Sequence, residues 1–162
     1  MIRTATPADY AEMDAVFRAS ASAFCSKSYD AQTIEEWAGR AWPDRFKLGK
    51  DKGDEQYVLI MEGRIVCFGC INPSSEKLVS LFVHPGFSGQ DIGKMMLEHL
   101  IGRTAAAGIN VLKLDSSINA VNFYKRHGFA EVGRSKYKTQ SGVLIASVQM
   151  ELTLGEDVTS LG

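Results

Sequence analysis

Two short segments of the chain carry the residue types that could do chemistry. Residues 83–94, V-H-P-G-F-S-G-Q-D-I-G-K, are typical of a strand end, a glycine-bearing turn and a helix start. Such a turn directs several unpaired backbone N–H groups at one point, which is how proteins bind a pyrophosphate. Residues 119–124 begin another helix and supply the phenol of Tyr124. Together the two segments predict a site that binds a nucleotide-bearing cofactor beside a proton donor.

Other phosphate-binding motifs fit residues 83–94 less well. A P-loop needs G-x-x-x-x-G-K-[ST], but Gly89 and Gly93 are one residue too close, and Met95 replaces the hydroxyl that would hold magnesium. The G-x-G-x-x-G fingerprint of dinucleotide-binding turns is absent. Both glycines still allow the backbone to approach a ligand closely. A plain helix N-terminus after a tight turn is the alternative.

Size and composition are those of one ordinary soluble globular domain. Of the 162 residues, 45% are hydrophobic and 23% are charged. We expect a single domain over residues 1–154 and a flexible polar tail over 155–162. The formal net charge of −1 argues against nucleic acid or an anionic membrane as a partner. The N-terminal residues lack a signal-peptide pattern and no membrane-length apolar run occurs, which predicts a cytoplasmic location.

The three cysteines, an odd number, argue against a disulfide framework. Cys67 and Cys70 match the C-x-x-C spacing of redox pairs, but they lie in an apolar run that is typical of a strand. Their thiols would then point to opposite faces of the sheet. No further ligands at zinc-binding spacing accompany them, so we predict two buried structural cysteines and no metal site.

Hydrophobic periodicity predicts elements in the order β-α-α-β-β-β-α-β-α-β-β, a class of α/β or α+β with a mixed sheet. Residues 42–54 are polar and broken by proline and glycine, which favours a loop or a short helix. We expect strands at 2–4, 56–61, 64–71, 77–83, 111–114, 129–137 and 142–152, and helices from residue 7 and at 31–40, 91–107 and 120–127.

The two chemical segments resemble those of the GCN5-related N-acetyltransferases, the GNAT superfamily. Members of that family carry V-x-P-x-[YF] at a strand end, followed by [RQ]-x-x-G-x-[GA]. Val83, Pro85 and Phe87 match the first part, and Gly93 matches within the second. Residues 117–129, S-I-N-A-V-N-F-Y-K-R-H-G-F, closely match the signature S-x-N-A-x-x-F-Y-x-x-x-G-F, the more specific of the two motifs.

The resemblance implies a fold and an activity, and the element order agrees with it over residues 2–152. The implied fold is α/β (α+β), a mixed, mostly antiparallel twisted sheet of about seven strands with four main helices on both faces. The implied reaction moves the acetyl group of acetyl-CoA to a primary amine of a small molecule or peptide, by direct attack in a ternary complex. A homodimer is compatible with this. The alternative is a non-catalytic acyl-CoA sensor or interaction module on the same fold.

The resemblance also assigns residues to the site. Backbone groups of residues 81–83 would hold the pantetheine arm like an added strand, and one N–H there would polarise the thioester carbonyl. Tyr124 would protonate the departing thiolate, since reference pKa values are about 10 for tyrosine and about 8.5 for a thiol. The cofactor-binding set is Leu81, Phe82, Val83, Ser88, Gly89, Gln90, Asp91, Ile92, Gly93, Lys94, Asn119, Asn122 and Tyr124.

Two positions in the turn depart from the family pattern. Ser88 stands where Arg or Gln is usual, and Asp91 stands where the first Gly is usual. A carboxylate about 5 Å from a phosphate oxygen costs about 3 kcal/mol at an effective dielectric constant of about 20. We therefore expect either that Asp91 turns its carboxylate outward or that CoA binds more weakly than usual, with Lys94 in partial compensation.

The amine side of the reaction is less well defined by the sequence. An amine must lose a proton before it attacks, and the candidate bases are Glu35, Glu76 and His84 or an ordered water chain. The acceptor pocket is expected between the first two helices and the last hairpin. Its candidate lining residues are Ser26, Tyr29 and Trp37, together with Trp42.

Overall fold

The structure, a computed structural model, describes residues 1–139 and 142–155. Its strands are β1 (Ile2–Thr4), β2 (Glu55–Met61), β3 (Arg64–Asn72), β4 (Lys77–Val83), β5 (Val111–Ser117), β6 (Ala130–Lys138) and β7 (Leu144–Thr153). Its α-helices are α1 (Tyr10–Phe24), α2 (Ala31–Ala38), α3 (Asp44–Asp51), α4 (Ile92–Ala106) and α5 (Val121–Arg126). Single 3₁₀ turns lie at Pro7–Asp9, Pro85–Phe87 and Ile118–Ala120.

The strands form one mixed sheet in the order β1-β2-β3-β4-β5-β7-β6. Neighbouring strands are antiparallel except for β4 and β5, which run parallel. Helices α1, α2 and α3 contribute to the hydrophobic cluster on one face, while α4 and α5 contribute to the cluster on the other. The seven-stranded mixed sheet with helices on both faces is therefore confirmed.

Differences from the sequence prediction are local. Residues 42–54 contain the helix α3, so the described residues hold five α-helices where four main helices were predicted. Strand β5 runs to Ser117, three residues further than predicted, because Asp115 to Ser117 still pair with β7 although they are polar. Residues 156–162, most of the predicted tail, lie outside the described residues.

The first helix begins where the sequence indicated. Thr6 occupies the N-cap position and Pro7 opens the 3₁₀ turn that leads into α1. The Asp9 carboxylate accepts hydrogen bonds from the Thr6 N–H at 2.8 Å and from two guanidinium nitrogens of Arg3 at 2.7 and 2.9 Å. This cluster ties β1 to the start of α1, and it holds the pKa of Asp9 at about 2.

Cys67 and Cys70 behave as the strand pattern predicted. Both thiols are free and buried, and the two side chains belong to the hydrophobic clusters on opposite faces of the sheet. Burial raises the pKa of both thiols, to about 12 for Cys70. Neither is therefore a redox or nucleophilic group at neutral pH.

Helix α4 packs closely on strand β3 at Gly69. A Cβ at this position would lie 2.8 Å from side-chain atoms of Met96 and Leu100. The close approach fixes the axis of α4 over the sheet and thereby places its N-terminus at the end of β4. None of the helices in the described residues is long and apolar enough to cross a membrane.

Candidate active site

The site begins as a gap in the sheet between β4 and β5. Lys77 and Lys113 form the one register pair that the described strands share here, supported by a 3.0 Å hydrogen bond from the Lys113 N–H to the Glu76 carbonyl. Beyond that pair β4 and β5 no longer exchange ladder hydrogen bonds, although both continue, to Val83 and Ser117. A parallel pair that separates in this way exposes main-chain groups inside the sheet.

The alternation of hydrogen bonds along β4 shows which groups face the gap. The His84 N–H donates to the Val66 carbonyl at 2.8 Å, so this residue is bonded to β3. In an antiparallel pair alternate residues face opposite ways, and Val83 and Leu81 therefore direct their N–H and C=O groups into the gap. The backbone of Phe82 faces β3, while its side chain lies on the wall of the cavity described below.

The N-terminus of α4 lies at the end of β4 and presents free donors. The first helical hydrogen bond runs from the Met95 N–H to the Asp91 carbonyl at 3.0 Å. The N–H groups of Ile92, Gly93 and Lys94 precede it, so they have no partner within the helix. Together with the helix dipole these donors favour a bound anion.

The turn that leads into α4 adopts two left-handed residues. Gly89 has φ +78° and Asp91 has φ +60°. The Asp91 side chain is exposed and makes no capping hydrogen bond to the helix end. Ser88 and Gln90 are also exposed. The position at which the family pattern has glycine is thus one where the backbone itself favours glycine.

Tyr124 lies in α5 directly beside this helix end. Its side chain is 6% exposed and packs edge-on against Phe123 and Phe129, with ring centroids at 5.2 and 5.4 Å. A Cβ at Gly93 would lie 3.4 Å from the Phe123 ring and 3.5 Å from Val83, so α4, α5 and β4 meet here. Burial raises the pKa of the Tyr124 phenol, which keeps it protonated.

Asn119 and Asn122 stand at the same corner as Tyr124. Asn119 lies in the 3₁₀ turn that follows β5, and Asn122 lies in the first turn of α5. Both side chains are exposed. The Asn119 amide interacts with the Cys25 thiol, and the Asn122 amide is available to a ligand that enters the gap from this side.

A cavity of about 200 Å³ runs from the α1–α3 face of the sheet to Tyr124. Its floor is formed by β2, β3 and β4, its far wall by β5, and further wall residues come from β6 and β7. The aromatic residues among its lining are Phe17, Trp37, Phe46, Phe68, Phe82, Tyr124 and Tyr137. The charged residues among its lining are Arg45, Asp54, Lys77 and Asp115.

The structure brings one of the three predicted acceptor residues to this cavity. Trp37 lies on its wall, and Trp42 stacks nearby on the Arg45 guanidinium. Ser26 is exposed and does not line the cavity. Tyr29 does not line it either: its hydroxyl donates to the Ala146 carbonyl at 2.5 Å and accepts from the Ile118 N–H at 3.1 Å. Tyr29 thereby ties the segment between α1 and α2 to β7 and to the turn before α5.

The predicted base candidates do not line the cavity. Glu35 is exposed on α2, and Glu76 is exposed in the turn before β4, at the end of the strand remote from the gap. His84 is half-buried, and its Nδ1 accepts a hydrogen bond from the Gly86 N–H at 3.0 Å. Its role in the structure is to cap the 3₁₀ turn at Pro85–Phe87.

Sequence reasoning missed most polar residues of the cavity, among them Asp54, Tyr137 and Ser147. They come from the segment before β2, from β6 and from β7, so no short motif joins them. Strand alternation alone could have indicated the face of Ser147. It lies within a predicted strand and next to Val148, so the two side chains point to opposite faces of the sheet.

Comparison with known proteins gives the family. The sequence model of the acetyltransferase (GNAT) domain matches residues 25–154. The peptidyl-lysine N-acetyltransferase YjaB of Salmonella typhimurium is 40% identical over 63 residues, 39% of this chain and 42% of that protein, so this match spans less than half of the relative.

Solved structures agree in fold. A GCN5-related N-acetyltransferase from Rhodopseudomonas palustris, described as an aminotransferase of class II, superposes with a TM-score of 0.86 at 25% identity over 95% of each chain. The PaiA N-acetyltransferase of Thermoplasma acidophilum, solved with coenzyme A, has a TM-score of 0.75 at 19% identity over 95% of this chain and 98% of that one.

This chain belongs to the GNAT acetyltransferase family, because the family model covers most of its length. It is an N-acetyltransferase that uses acetyl-CoA as its acetyl donor.

Proposed function

We propose that the chain acetylates a small primary amine by direct attack in a ternary complex, with acetyl-CoA in the β4–β5 gap and the amine in the cavity on the opposite face. The observation that best supports this proposal is the gap itself, which lies between the free main-chain donors at the N-terminus of α4 and the cavity on the other face of the sheet. Tyr124 lines that cavity, which favours catalysis over simple sensing.

The residues around the gap fit acetyl-CoA. The N–H groups of Ile92, Gly93 and Lys94 would bind the pyrophosphate, with the Lys94 ammonium as an added charge. The inward-facing backbone of Leu81 and Val83 would hold the pantetheine arm as an added strand. The bound donor supplies an acetyl thioester, and one main-chain N–H of this pair would stabilise charge that develops on its carbonyl oxygen.

Tyr124 would act as the general acid. Its phenol is held protonated by burial, and no hydrogen bond of its hydroxyl to another described residue competes for the proton. A positioned acid of this kind contributes about 10²–10⁴-fold to a rate. Asn119 and Asn122 would bind the pantetheine arm, and Ser88, Gly89, Gln90 and Asp91 would contribute backbone rather than side chains, since their side chains are exposed or absent.

The size of the cavity supports a small acceptor. Pockets for drug-sized ligands measure about 300–1,000 Å³, and about 200 Å³ suits a smaller molecule. We further propose a cytoplasmic location, which the three free cysteines support. A homodimer stays a prediction.

A screen of amines tests the proposal, with thiol release from acetyl-CoA as the readout. We expect thiol release with small primary amines, and we expect Tyr124→Phe to abolish most of it. Binding of CoA without thiol release from any amine would contradict it. The matched control is Tyr57→Phe, because the Tyr57 hydroxyl bonds to Glu55 and Arg103 outside the cavity.

A further inference from the structure

We propose that the acceptor is a small dication, an α,ω-diamine or a similar molecule, and that Asp54 binds its distal ammonium while the other amine is acetylated. The inference rests on the proposed function and names the class of acceptor for the same cavity. Three observations support it: the charge of Asp54 in the cavity, the buried Ser147 hydroxyl that has no hydrogen-bond partner in the described structure, and the aromatic wall between them.

The charges that line the cavity are balanced except at Asp54. Arg45 lies 2.8 Å from Asp14, whose side chain is 3% exposed. Lys77 lies 3.4 Å from Asp115. Asp54 makes no ion pair within 4.0 Å in the part of the chain that the structure describes. Among the described cations Lys52 acts on Asp54 only from beyond contact distance, so the carboxylate has no contacting cation and can receive one from a ligand.

The local structure holds the Asp54 carboxylate at the cavity without neutralising it. Its Oδ1 accepts a 2.9 Å hydrogen bond from the Asn72 amide, a neutral donor. Its backbone N–H donates to the Gly49 carbonyl at 3.0 Å. A Cβ at Gly49 would lie 2.5 Å from Oδ2, so the absence of a side chain there makes room for the carboxylate. Partial burial raises the pKa of Asp54, a cost that a bound cation would offset.

A second observation points to a ligand with N–H groups in the same cavity. The Ser147 side chain lines it, the residue is 5% exposed, and its hydroxyl oxygen has no hydrogen-bond partner in the described structure. A buried hydroxyl without a partner is uncommon in native proteins. Ser147 pairs in register with Ser117 at the end of β5, the end at which the gap lies. A reacting amine could donate to this oxygen.

The two polar ends are separated along the strands. Asp54 precedes Glu55, which pairs with Ile71, and so it stands level with the beginning of β4. Ser117, the partner of Ser147, is four residues beyond Lys113, which pairs with the beginning of β4. Four residues of strand span about 13 Å, which is the separation along the strand direction alone, because β3, β4 and β5 also lie between β2 and β7 across the sheet. A ligand that contacts both ends therefore needs a polar group at each end of a connecting chain.

The remaining wall suits methylene groups. Phe17 packs edge-on against Phe82 and Trp37, with ring centroids at 4.9 and 5.4 Å, and all three rings line the cavity. An apolar wall with polar groups at its two ends matches an alkyl chain that carries nitrogen at both ends. The reacting nitrogen forms the new C–N bond as the C–S bond breaks, its proton passes to solvent, and the thiolate takes the Tyr124 proton. The distal ammonium keeps its protons throughout.

Steady-state kinetics with matched amines test this inference. Putrescine, cadaverine and hexamethylenediamine are each compared with the n-alkylamine of the same carbon number, using thiol release from acetyl-CoA. We expect kcat/KM for the diamines to exceed that for the monoamines by about tenfold or more, mainly through KM. Asp54→Asn should raise KM for the diamines about 10- to 100-fold and leave KM for the monoamines and the Kd of CoA unchanged. Asp51→Asn, an exposed carboxylate at the end of α3 that does not line the cavity, should behave as wild type.

Several outcomes would overturn the inference. Equal use of monoamines and diamines by the wild-type enzyme contradicts it, and this test needs no variant that must fold. If Asp54→Asn lowered kcat/KM equally for diamines and monoamines, the role of Asp54 would be structural. Better use of a lysine-containing peptide than of any diamine would place the acceptor outside this class. Absence of thiol release with every amine would instead contradict the proposed function itself, and this inference with it.

Discussion

Lys77 and Lys113 mark the place where β4 and β5 separate. They are the last register pair between these two parallel strands in the described structure. The proposed cofactor-binding and catalytic groups lie beyond them, where the backbone of Leu81 and Val83 has no strand partner on one side and where the cavity reaches Tyr124. A defect in the sheet thus positions the site, and helix α4 completes it with free N–H donors.

Replacement of Tyr124 by Phe should stop turnover without loss of cofactor binding. We expect kcat to fall about 100-fold or more, since a general acid is removed, while the Kd of CoA changes less than twofold, as the ring still packs between Phe123 and Phe129. The free energy of unfolding should also stay unchanged, because the hydroxyl makes no hydrogen bond to another described residue. A thiol-release assay and calorimetric CoA titration measure the two constants. Unchanged kcat would show that another group protonates the thiolate.

The rate should keep rising with pH well above neutrality. Burial raises the pKa of Tyr124, so the acid stays protonated as pH increases. Meanwhile an acceptor amine with a pKa of about 10 becomes increasingly neutral and able to attack. Glu35, Glu76 and His84 do not line the cavity, and of the two carboxylates that do, Asp115 pairs with Lys77 and Asp54 is assigned to the distal ammonium. We expect kcat/KM to increase about tenfold per pH unit between about pH 7 and pH 9. A plateau that begins near pH 7 would reveal a protein base that the structure does not place at the amine.

Asp91 should weaken CoA binding through its charge. Asp91→Asn keeps a residue that tolerates the left-handed conformation and removes the carboxylate, so we expect the Kd of CoA to fall about 3- to 10-fold at low ionic strength, with a smaller gain in high salt. Asp91→Gly should bind CoA at least as well, because glycine also relieves the φ of +60°. Glu98→Gln, an exposed carboxylate further along α4, is the matched control. Unchanged affinity in Asp91→Asn would show that the Asp91 carboxylate is turned away from the pyrophosphate or screened from it.

Tyr29 should matter for stability and for the acceptor rather than for CoA. Tyr29→Phe removes one bond to the Ala146 carbonyl and one from the Ile118 N–H, and we expect the free energy of unfolding to drop by about 1–2 kcal/mol. Because Ala146 adjoins Ser147 in the cavity wall, KM for the amine should rise while the Kd of CoA is unchanged. Urea denaturation and steady-state kinetics measure both. A variant as stable as wild type would contradict a stabilising role for these two hydrogen bonds.

Asp9 should stabilise the fold in a pH-dependent manner. Its pKa is lowered to about 2 by the Arg3 guanidinium and the Thr6 N–H. The pKa of Asp9 in the unfolded chain is about 4. Because the folded-state pKa is lower, Asp9 stabilises the fold above about pH 4, and this contribution is lost as the pH falls from about 4 through about 2. Asp9→Asn should therefore cost about 1–2 kcal/mol at pH 7, and the difference from wild type should shrink in acid. A difference that stays constant down to pH 3 would contradict the ion pair as its source.

Much of the fold was predictable because its signals are local. The strand at Lys77–Val83, the helix after Asp91 and the signature around Tyr124 each depend on residues within about a dozen positions, where turn chemistry and periodicity are informative. The sequence does not distinguish helix α3 from a loop, because a glycine at position 49 is typical of a break. In the structure that glycine lies beside the Asp54 carboxylate.

The acceptor cavity was poorly predictable because its residues come together only in the tertiary structure. Asp54 and Ser147 are far apart in the sequence and meet in one cavity only through the sheet order and the β6–β7 hairpin. An aromatic side chain between two helices, such as Tyr29, has the same sequence signature whether it lines a pocket or makes structural hydrogen bonds. The positive φ of Asp91 could not be predicted either. The aspartate in place of the family's glycine indicates a change of charge, but it does not indicate a left-handed backbone conformation.

A crystal structure of the complex with CoA tests the central claim most directly. We predict hydrogen bonds of about 2.8–3.2 Å from the N–H groups of Ile92, Gly93 and Lys94 to the pyrophosphate, main-chain bonds from Leu81 or Val83 to the pantetheine arm, and the sulfur within about 4 Å of the Tyr124 hydroxyl. A sulfur outside the β4–β5 gap, or a pyrophosphate bound away from the N-terminus of α4, would contradict the account.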